Sequence, residues 1–326
     1  SSSALIFAAA SAAKGFSETT MPKVLVATEK PFAAEAAAKI KAELEAAKYD
    51  CRFLESYKDV SEFHAAAAEV EAIIIRSDIV DEAVLNAAPK LKIVVRAGAG
   101  YDNVDLKSAT AHDVVVMNTP GQNSNAVAEL AIGMMIYMAR GKFNGKSGTE
   151  LAGKKLVLFG FGYIARYVAK MAKGIGMDVY AYDPYLSAEI MTKEGVTPLT
   201  KVEDIFKTGD YVSLHIPANT ETKKSINWNL LSLLPEGATL INTARKEVID
   251  EDSLLKAFAE KKGFRYVTDV APDNLSAINE QYADRIYATP KKMGAQTAEA
   301  NNNAGIAAAK QIIAFFDKGD KTFKVN

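Results

Sequence analysis

Histidine and cysteine are scarce in this 326-residue chain, which holds three histidines (His64, His112, His215) and one cysteine, Cys51. A single cysteine excludes an internal disulfide framework, and no Cys/His cluster could close a structural zinc site, so no metal is expected. Net charge is nearly absent as well, with 39 Lys+Arg against 40 Asp+Glu for a formal charge of -1. That balance gives no reason to expect nucleic acid or an anionic membrane as a general partner. Uncharged apolar runs stay well short of the ~20 residues that a membrane span needs. These absences describe a globular protein of the reducing cytoplasm, long enough for two ordinary domains.

Residues 1–21 stand apart, because Ser1 to Thr20 is rich in Ser and Ala and is followed by Met21. The segment reads as a disordered leader or an upstream start; a transit-peptide remnant is the alternative, against which stands its lack of Arg.

What is present is a regular alternation. The β-branched runs Lys23–Ala27, Ala72–Arg76, Ile93–Arg96 and Val114–Met117 read as buried strands, with alanine-rich helices at Ala33–Ala47 and Val60–Val70. The pattern restarts with strands at Lys155–Phe159, Asp178–Tyr182, Tyr211–Leu214, Thr239–Asn242 and Arg265–Thr268. Repeated strand–helix–strand units imply right-handed crossovers and parallel sheets, hence an α/β chain of two doubly wound domains. Between the runs, Ser124–Arg140 is almost wholly apolar, so it must be covered on all sides, as an interdomain and interchain helix would be. A final long helix runs from about Thr297 to Lys318 and is free to return to the first domain.

The densest chemical signal starts at Leu156, in LVLFGFGYIARYVAKMAKG. Gly160, Gly162 and Ala165 form G-x-G-x-x-A between a strand and a helix: a tight turn, room for a pyrophosphate, and close helix–sheet packing. The helix N-terminus then offers N–H groups to phosphates. The next strand ends at Asp183, 23 residues beyond Gly160. A carboxylate there accepts both hydroxyls of an adenosine ribose and repels a 2′-phosphate, which favours NAD over NADP. The plainer reading has Asp183 capping its own Asp183-Pro184 turn.

Five stretches in matching order carry a resemblance: VRAGAGYDNVD (Val95–Asp105), NTPGQNSNAVAEL (Asn118–Leu130), the glycine motif, SLHIP (Ser213–Pro217) and INTARKEVIDEDSL (Ile241–Leu254). Together they resemble the D-2-hydroxyacid dehydrogenase family from about Pro22 onward. The resemblance implies a flavodoxin-like substrate domain from residues 22–118 plus 297–326. It implies a Rossmann NAD domain over 119–296, in which 119–140 is the interdomain and homodimer helix, and an active site in the cleft between the two. The implied activity is hydride transfer between C2 of a small 2-hydroxy acid and NAD. Arg245 matches the arginine that polarises the 2-oxo oxygen and pairs with the carboxylate, work suited to a permanently charged fork of donors. Gly98 and Ala99 match the backbone cradle for the carboxylate. Arg76 matches the position that meets a substrate phosphate, with Ser77, Asn123 and Arg96 beside it. Besides Gly160, Gly162 and Asp183, the resemblance assigns Tyr163, Ile164, His215, Pro217, Thr222, Thr243, Ala244, Asp269 and Gly294 to the cofactor.

One departure bears on mechanism. The family pattern carries a proton-shuttling His after a Thr-Pro, oriented by a Glu that follows an Asp-Val pair. Here the segments read TPKKMGAQT (Thr289–Thr297) and DVAPDNL (Asp269–Leu275), and no histidine follows His215. Aligning on Met293-Gly294-Ala295 puts Lys292 at the histidine position, whereas counting from Thr289-Pro290 gives Lys291. We favour Lys292 as the catalytic partner of Arg245, with Lys291 adding charge for substrate. This resembles a lysine-bearing subgroup that lacks a regulatory domain, and implies a small phosphorylated 2-hydroxy acid as substrate. Another small 2-hydroxy or 2-oxo acid is the alternative, as is a non-catalytic NAD(H)-sensing binding protein.

Overall fold

The computed structural model describes residues 21–326, so the expected leader lies, but for Met21, outside the described residues. The strands β1 (Lys23–Thr28), β2 (Asp50–Glu55), β3 (Ala72–Ile75), β4 (Ile93–Arg96) and β5 (Val115–Asn118) form one sheet, ordered β2-β1-β3-β4-β5. All its pairings are parallel. A second parallel sheet holds β6 (Lys155–Phe159), β7 (Asp178–Tyr182), β8 (Thr197–Pro198), β9 (Tyr211–Leu214), β10 (Thr239–Asn242), β11 (Arg265–Thr268) and β12 (Ile286–Ala288). Its order is β12-β11-β10-β9-β6-β7-β8. The expected two doubly wound sheets are both present.

Parallel sheets need cover on both faces, and the strand sequences satisfy that need. β3, β5, β9 and β10 are buried at every residue. Each sheet therefore separates two apolar clusters, one per face. On one face of the first sheet the helix Ala34–Ala46 packs beside the helix Ala298–Lys318. A Cβ at Gly305 would come within 2.5 Å of Ile40 Cδ1, so a glycine permits that approach. The last helix thus returns to the first sheet, and Val325 beyond it donates to the Val116 carbonyl at 2.9 Å.

The sequence reading missed β2, β8 and β12, all edge or near-edge elements. β2 (DCRFLE) is only half-buried along its length, and β8 has two residues, one of them proline. The helix Val60–Ala67 also stops before Val70. The apolar helix Ser124–Ala139 packs against the helix Tyr163–Ile175 and the second sheet, leaving Asn125, Glu129, Gly133 and Ile136 exposed.

Strand order reverses beside β1 and β3 in one sheet, and beside β6 and β9 in the other. Ligands of open α/β sheets bind outside the carboxyl ends of strands at such reversals. The loops there carry Lys30 and Arg76 from the first sheet, and Gly160 and His215 from the second.

Candidate active site

Gly160 leaves β6 at φ +87°, and a Cβ on it would lie 2.7 Å from the His215 carbonyl oxygen. The left-handed turn and the close strand both require glycine. Gly162 is the N-cap of the helix Tyr163–Ile175, and a Cβ there would meet nothing within 4 Å. That open space lies at the positive end of the helix, as a pyrophosphate would require. Ala165 is fully buried against the sheet, Ile164 is half-buried, and exposed Tyr163 lays its ring beside Gly121. Asp183 caps its own turn, as the plainer reading had it, Oδ1 accepting the Tyr185 N–H, and it also ties to the glycine loop, Oδ2 accepting the Phe161 N–H, each at 2.8 Å. Its carboxylate is thereby fixed at the lip of the glycine loop, where a ribose would follow the pyrophosphate.

The other proposed cofactor residues line the ends of β9, β10 and β11. His215 is half-buried, its Nε2 has no protein partner, and burial pushes its pKa down to about 4. Such an imidazole is neutral near pH 7. Thr222 closes the turn after β9 by donating to the Pro217 carbonyl at 2.5 Å. Asn242 holds the turn after β10: its Oδ1 accepts from Ala244 N–H and its Nδ2 donates to the Arg245 carbonyl, both at 3.0 Å. Thr243 Oγ1 and Asp269 Oδ1 are buried without protein partners. Unsatisfied buried polar atoms are costly, and those at His215, Thr243 and Asp269 suit a polar ligand such as a dinucleotide. Asp269 Oδ2, by contrast, accepts the N–H of Gly294 at 2.8 Å and of Met293 at 3.3 Å. Burial raises the Asp269 pKa, against the lowering effects of those donors and of Lys292.

A cleft of about 260 Å³ opens between the first sheet and the last helix. Arg76, Ser77, Arg96, Gly98 and Asn123 line it, as expected, and so do Lys30, Gln296 and Asn301. Arg76 donates to the Lys30 and Pro31 carbonyls, each at 3.1 Å, and its guanidinium lies over the Phe32 ring. Arg96 Nε donates to the Arg76 carbonyl at 2.9 Å rather than closing an ion pair, and a Cβ on Gly98 would overlap its guanidinium. Burial first, then Arg76 and Arg245, lower the pKa of Arg96. An anion would relieve that crowding of positive charge. The Ala99 carbonyl is taken by Asn118 Nδ2 at 2.6 Å.

Arg245 reaches across from the second sheet. Its Nη1 donates to the Ala244 carbonyl at 3.0 Å and its Nη2 to Asp102 Oδ2 at 3.1 Å. Lys292 is exposed as a residue, and its pKa is lowered first by partial burial of the charged group and then by Arg245, with Asp269 and Asp102 opposing and Arg96 adding. Lys291 is exposed, and its carbonyl accepts from Thr289 Oγ1 at 2.7 Å. The structure thus gathers Arg96, Arg245 and Lys292 at one place, with Arg76 adjoining. His112 is engaged elsewhere, by the Ser108 carbonyl and Asn86 Oδ1 at 2.8 and 2.9 Å. Sequence reasoning assigned no role to Lys30, Gln296, Asn301 or Asp102. Only Lys30 left a trace, as the basic residue just after β1.

Among the described residues, no group of His, Cys, Asp and Glu could hold a metal ion, and no helix is long and apolar enough to cross a membrane. The model for the NAD-binding domain of D-isomer-specific 2-hydroxyacid dehydrogenases matches residues 126–291. The D-3-phosphoglycerate dehydrogenase of Methanocaldococcus jannaschii is 34% identical over 259 residues, covering 75% of this chain and 49% of that one. The hydroxypyruvate reductase of Thermotoga maritima is 36% identical over 262 residues, covering 75% and 84%. The chain spans about half the length of several curated relatives it matches. Among solved structures, the NAD+-bound 3-phosphoglycerate dehydrogenase of Entamoeba histolytica is 43% identical, covers 94% of this chain and 99% of that one, and superposes with a TM-score of 0.85.

Proposed function

Because this chain belongs to the D-isomer-specific 2-hydroxyacid dehydrogenases, a family of NAD-dependent oxidoreductases, we propose that it is a D-3-phosphoglycerate dehydrogenase. It would interconvert 3-phosphoglycerate and 3-phosphooxypyruvate, the opening step of phosphorylated serine biosynthesis. The observation that carries this reading is the arginine-lined cleft between the first sheet and the last helix, whose Arg96 lies in the field of Arg245 and Lys292 from the second sheet.

NAD supplies the hydride chemistry at C2. Gly160, Gly162, Tyr163 and Ile164 would hold its pyrophosphate, and Asp183 its adenosine ribose. His215, Pro217, Thr222, Thr243, Ala244, Asp269 and Gly294 would border its other half. Arg245 binds the substrate carboxylate and polarises the C2 oxygen, with Gly98 and Ala99 cradling the carboxylate. Arg76, Ser77, Arg96 and Asn123, with Lys291 nearby, take the phosphate end. In reduction the Lys292 ammonium would give its proton to the C2 oxygen, be left neutral and be reprotonated from water. In oxidation neutral Lys292 takes that proton back. Lowering the pKa of a lysine toward neutrality suits it to both directions. We place this chain in the cytoplasm as a homodimer, its second copy seated near exposed Ile136.

Hydroxypyruvate reduction is a second reading, favoured by the likeness to the Thermotoga maritima enzyme. The deciding experiment mixes the protein with NADH and compares 3-phosphooxypyruvate, hydroxypyruvate, pyruvate and glyoxylate. NADH loss selective for the phosphorylated acid supports the first reading, and preference for hydroxypyruvate supports the second. Tight NADH binding without loss on any acid would mark a sensor rather than an enzyme.

A further inference from the structure

The family pattern places a Glu beside its proton-shuttling His, and the matching stretch of this chain does not supply one. Asp273 is paired with Lys246 at 2.5 Å, and Asn274 Nδ2 donates to the Glu251 carbonyl at 2.9 Å. The charges whose fields reach Lys292 are those of Arg245, Asp269, Asp102 and Arg96. Of the two carboxylates, Asp269 already accepts two backbone N–H groups and is almost fully buried. Asp102 is the other, and it arrives from the opposite sheet, in the loop after β4.

Its Oδ2 lies 3.1 Å from Arg245 Nη2, while the Ala244 carbonyl holds Nη1 at 3.0 Å. Two anchors on different nitrogens fix the plane of the guanidinium. A guanidinium has five N–H donors, so three remain for a substrate. Gly100 makes room for the arrangement: a Cβ there would meet Arg245 Nη2 at 2.9 Å and Asp102 Oδ2 at 3.4 Å. The Asp102 side chain is 83% exposed, and exposed pairs add little to stability. Any consequence of this pair should therefore appear in catalysis and not in folding.

We propose that Asp102 is the positioning carboxylate of this active site, orienting Arg245 across the cleft. This rests on the roles given to Arg245 and Lys292 above. Asp102 would act through both cations without touching the reacting atoms. A negative charge near an ammonium stabilises its protonated form, so Asp102 helps Lys292 keep the proton it donates.

The test compares wild type with Asp102→Asn and Asp102→Glu. It uses NADH with 3-phosphooxypyruvate across pH, and calorimetric titration of 3-phosphoglycerate for its Kd. The expected Asp102→Asn result is a kcat lowered about tenfold by a misaligned Arg245. The alkaline limb of the reduction profile should move to lower pH, with Tm unchanged. Asp102→Glu should recover most of kcat and of the limb. Wild-type kcat and an unmoved limb in Asp102→Asn would overturn the proposal. So would a fall in KM and Kd at constant kcat, because Asp102 would then only be competing with the substrate carboxylate for Arg245. A wild-type protein that turns over no 2-oxo acid overturns the functional reading itself, and this proposal with it.

Discussion

Arg76 Nη2 donates to Asn301 Oδ1 at 2.8 Å, joining the end of β3 to the start of the helix Ala298–Lys318. The same guanidinium holds the Lys30 and Pro31 carbonyls. Arg76 is thus the brace of the cleft as well as one of its cations, and it spans three segments far apart in sequence. Arg76→Ala should raise KM for the phosphorylated acid and cost about 1–3 kcal/mol of stability through lost charge-assisted bonds. Arg76→Lys should restore little of either, since one ammonium cannot reproduce the planar fork. Denaturant melts and steady-state kinetics of both variants check this. A variant with raised KM but wild-type stability would remove the bracing role.

Asp183 is fixed by two backbone N–H groups at the lip of the glycine loop. Asp183→Ser keeps a short acceptor and removes the charge that repels a 2′-phosphate. The expected outcome is a KM for NADH raised about tenfold and a narrowed preference over NADPH. Measuring kcat/KM with each coenzyme decides it, and unchanged discrimination would point to selectivity set elsewhere.

His215 has its pKa pushed down to about 4 by burial, against an ordinary value of 6.5. The folded state therefore binds this proton more weakly than the unfolded chain does. Stability from this group is complete above pH 6.5 and is lost as pH falls from there through 4. The loss is below about 3 kcal/mol, because the side chain is only half-buried. Tm measured across that window should fall less steeply for His215→Asn than for wild type. Parallel curves would show that acid lability arises from other groups.

How much of this was legible in sequence follows from where each signal lives. Every central strand was readable, because a strand buried on both faces is dominated by apolar residues, as AIII of β3 and IVV of β4 are. The edge strand β2 was not, since DCRFLE buries neither face fully, and three-residue β12 is too short to show a period. The glycine loop and Asp183 were legible because their chemistry is local, within one strand–helix–strand unit. Asp102 with Arg245, and Arg76 with Asn301, were not, being 143 and 225 positions apart. Those pairings depend on how the two sheets and the last helix meet, which no local pattern encodes. The Lys291–Lys292 ambiguity is of the same kind: which of two sequence neighbours serves depends on long-range surroundings, such as the field of Arg245 and Asp269 at Lys292.

The central claim, proton transfer by Lys292 where the family pattern has histidine, is tested most directly by turnover of Lys292→Ala and Lys291→Ala with NADH and 3-phosphooxypyruvate. General acid–base catalysis contributes about 10²–10⁴ in rate, so Lys292→Ala should lose about a hundredfold or more in kcat, while Lys291→Ala changes mainly KM. In wild type, oxidation of 3-phosphoglycerate should rise with pH as the ammonium gives way to the neutral amine. A Lys292→Ala variant with near wild-type kcat, or a kcat abolished only in Lys291→Ala, would contradict the account.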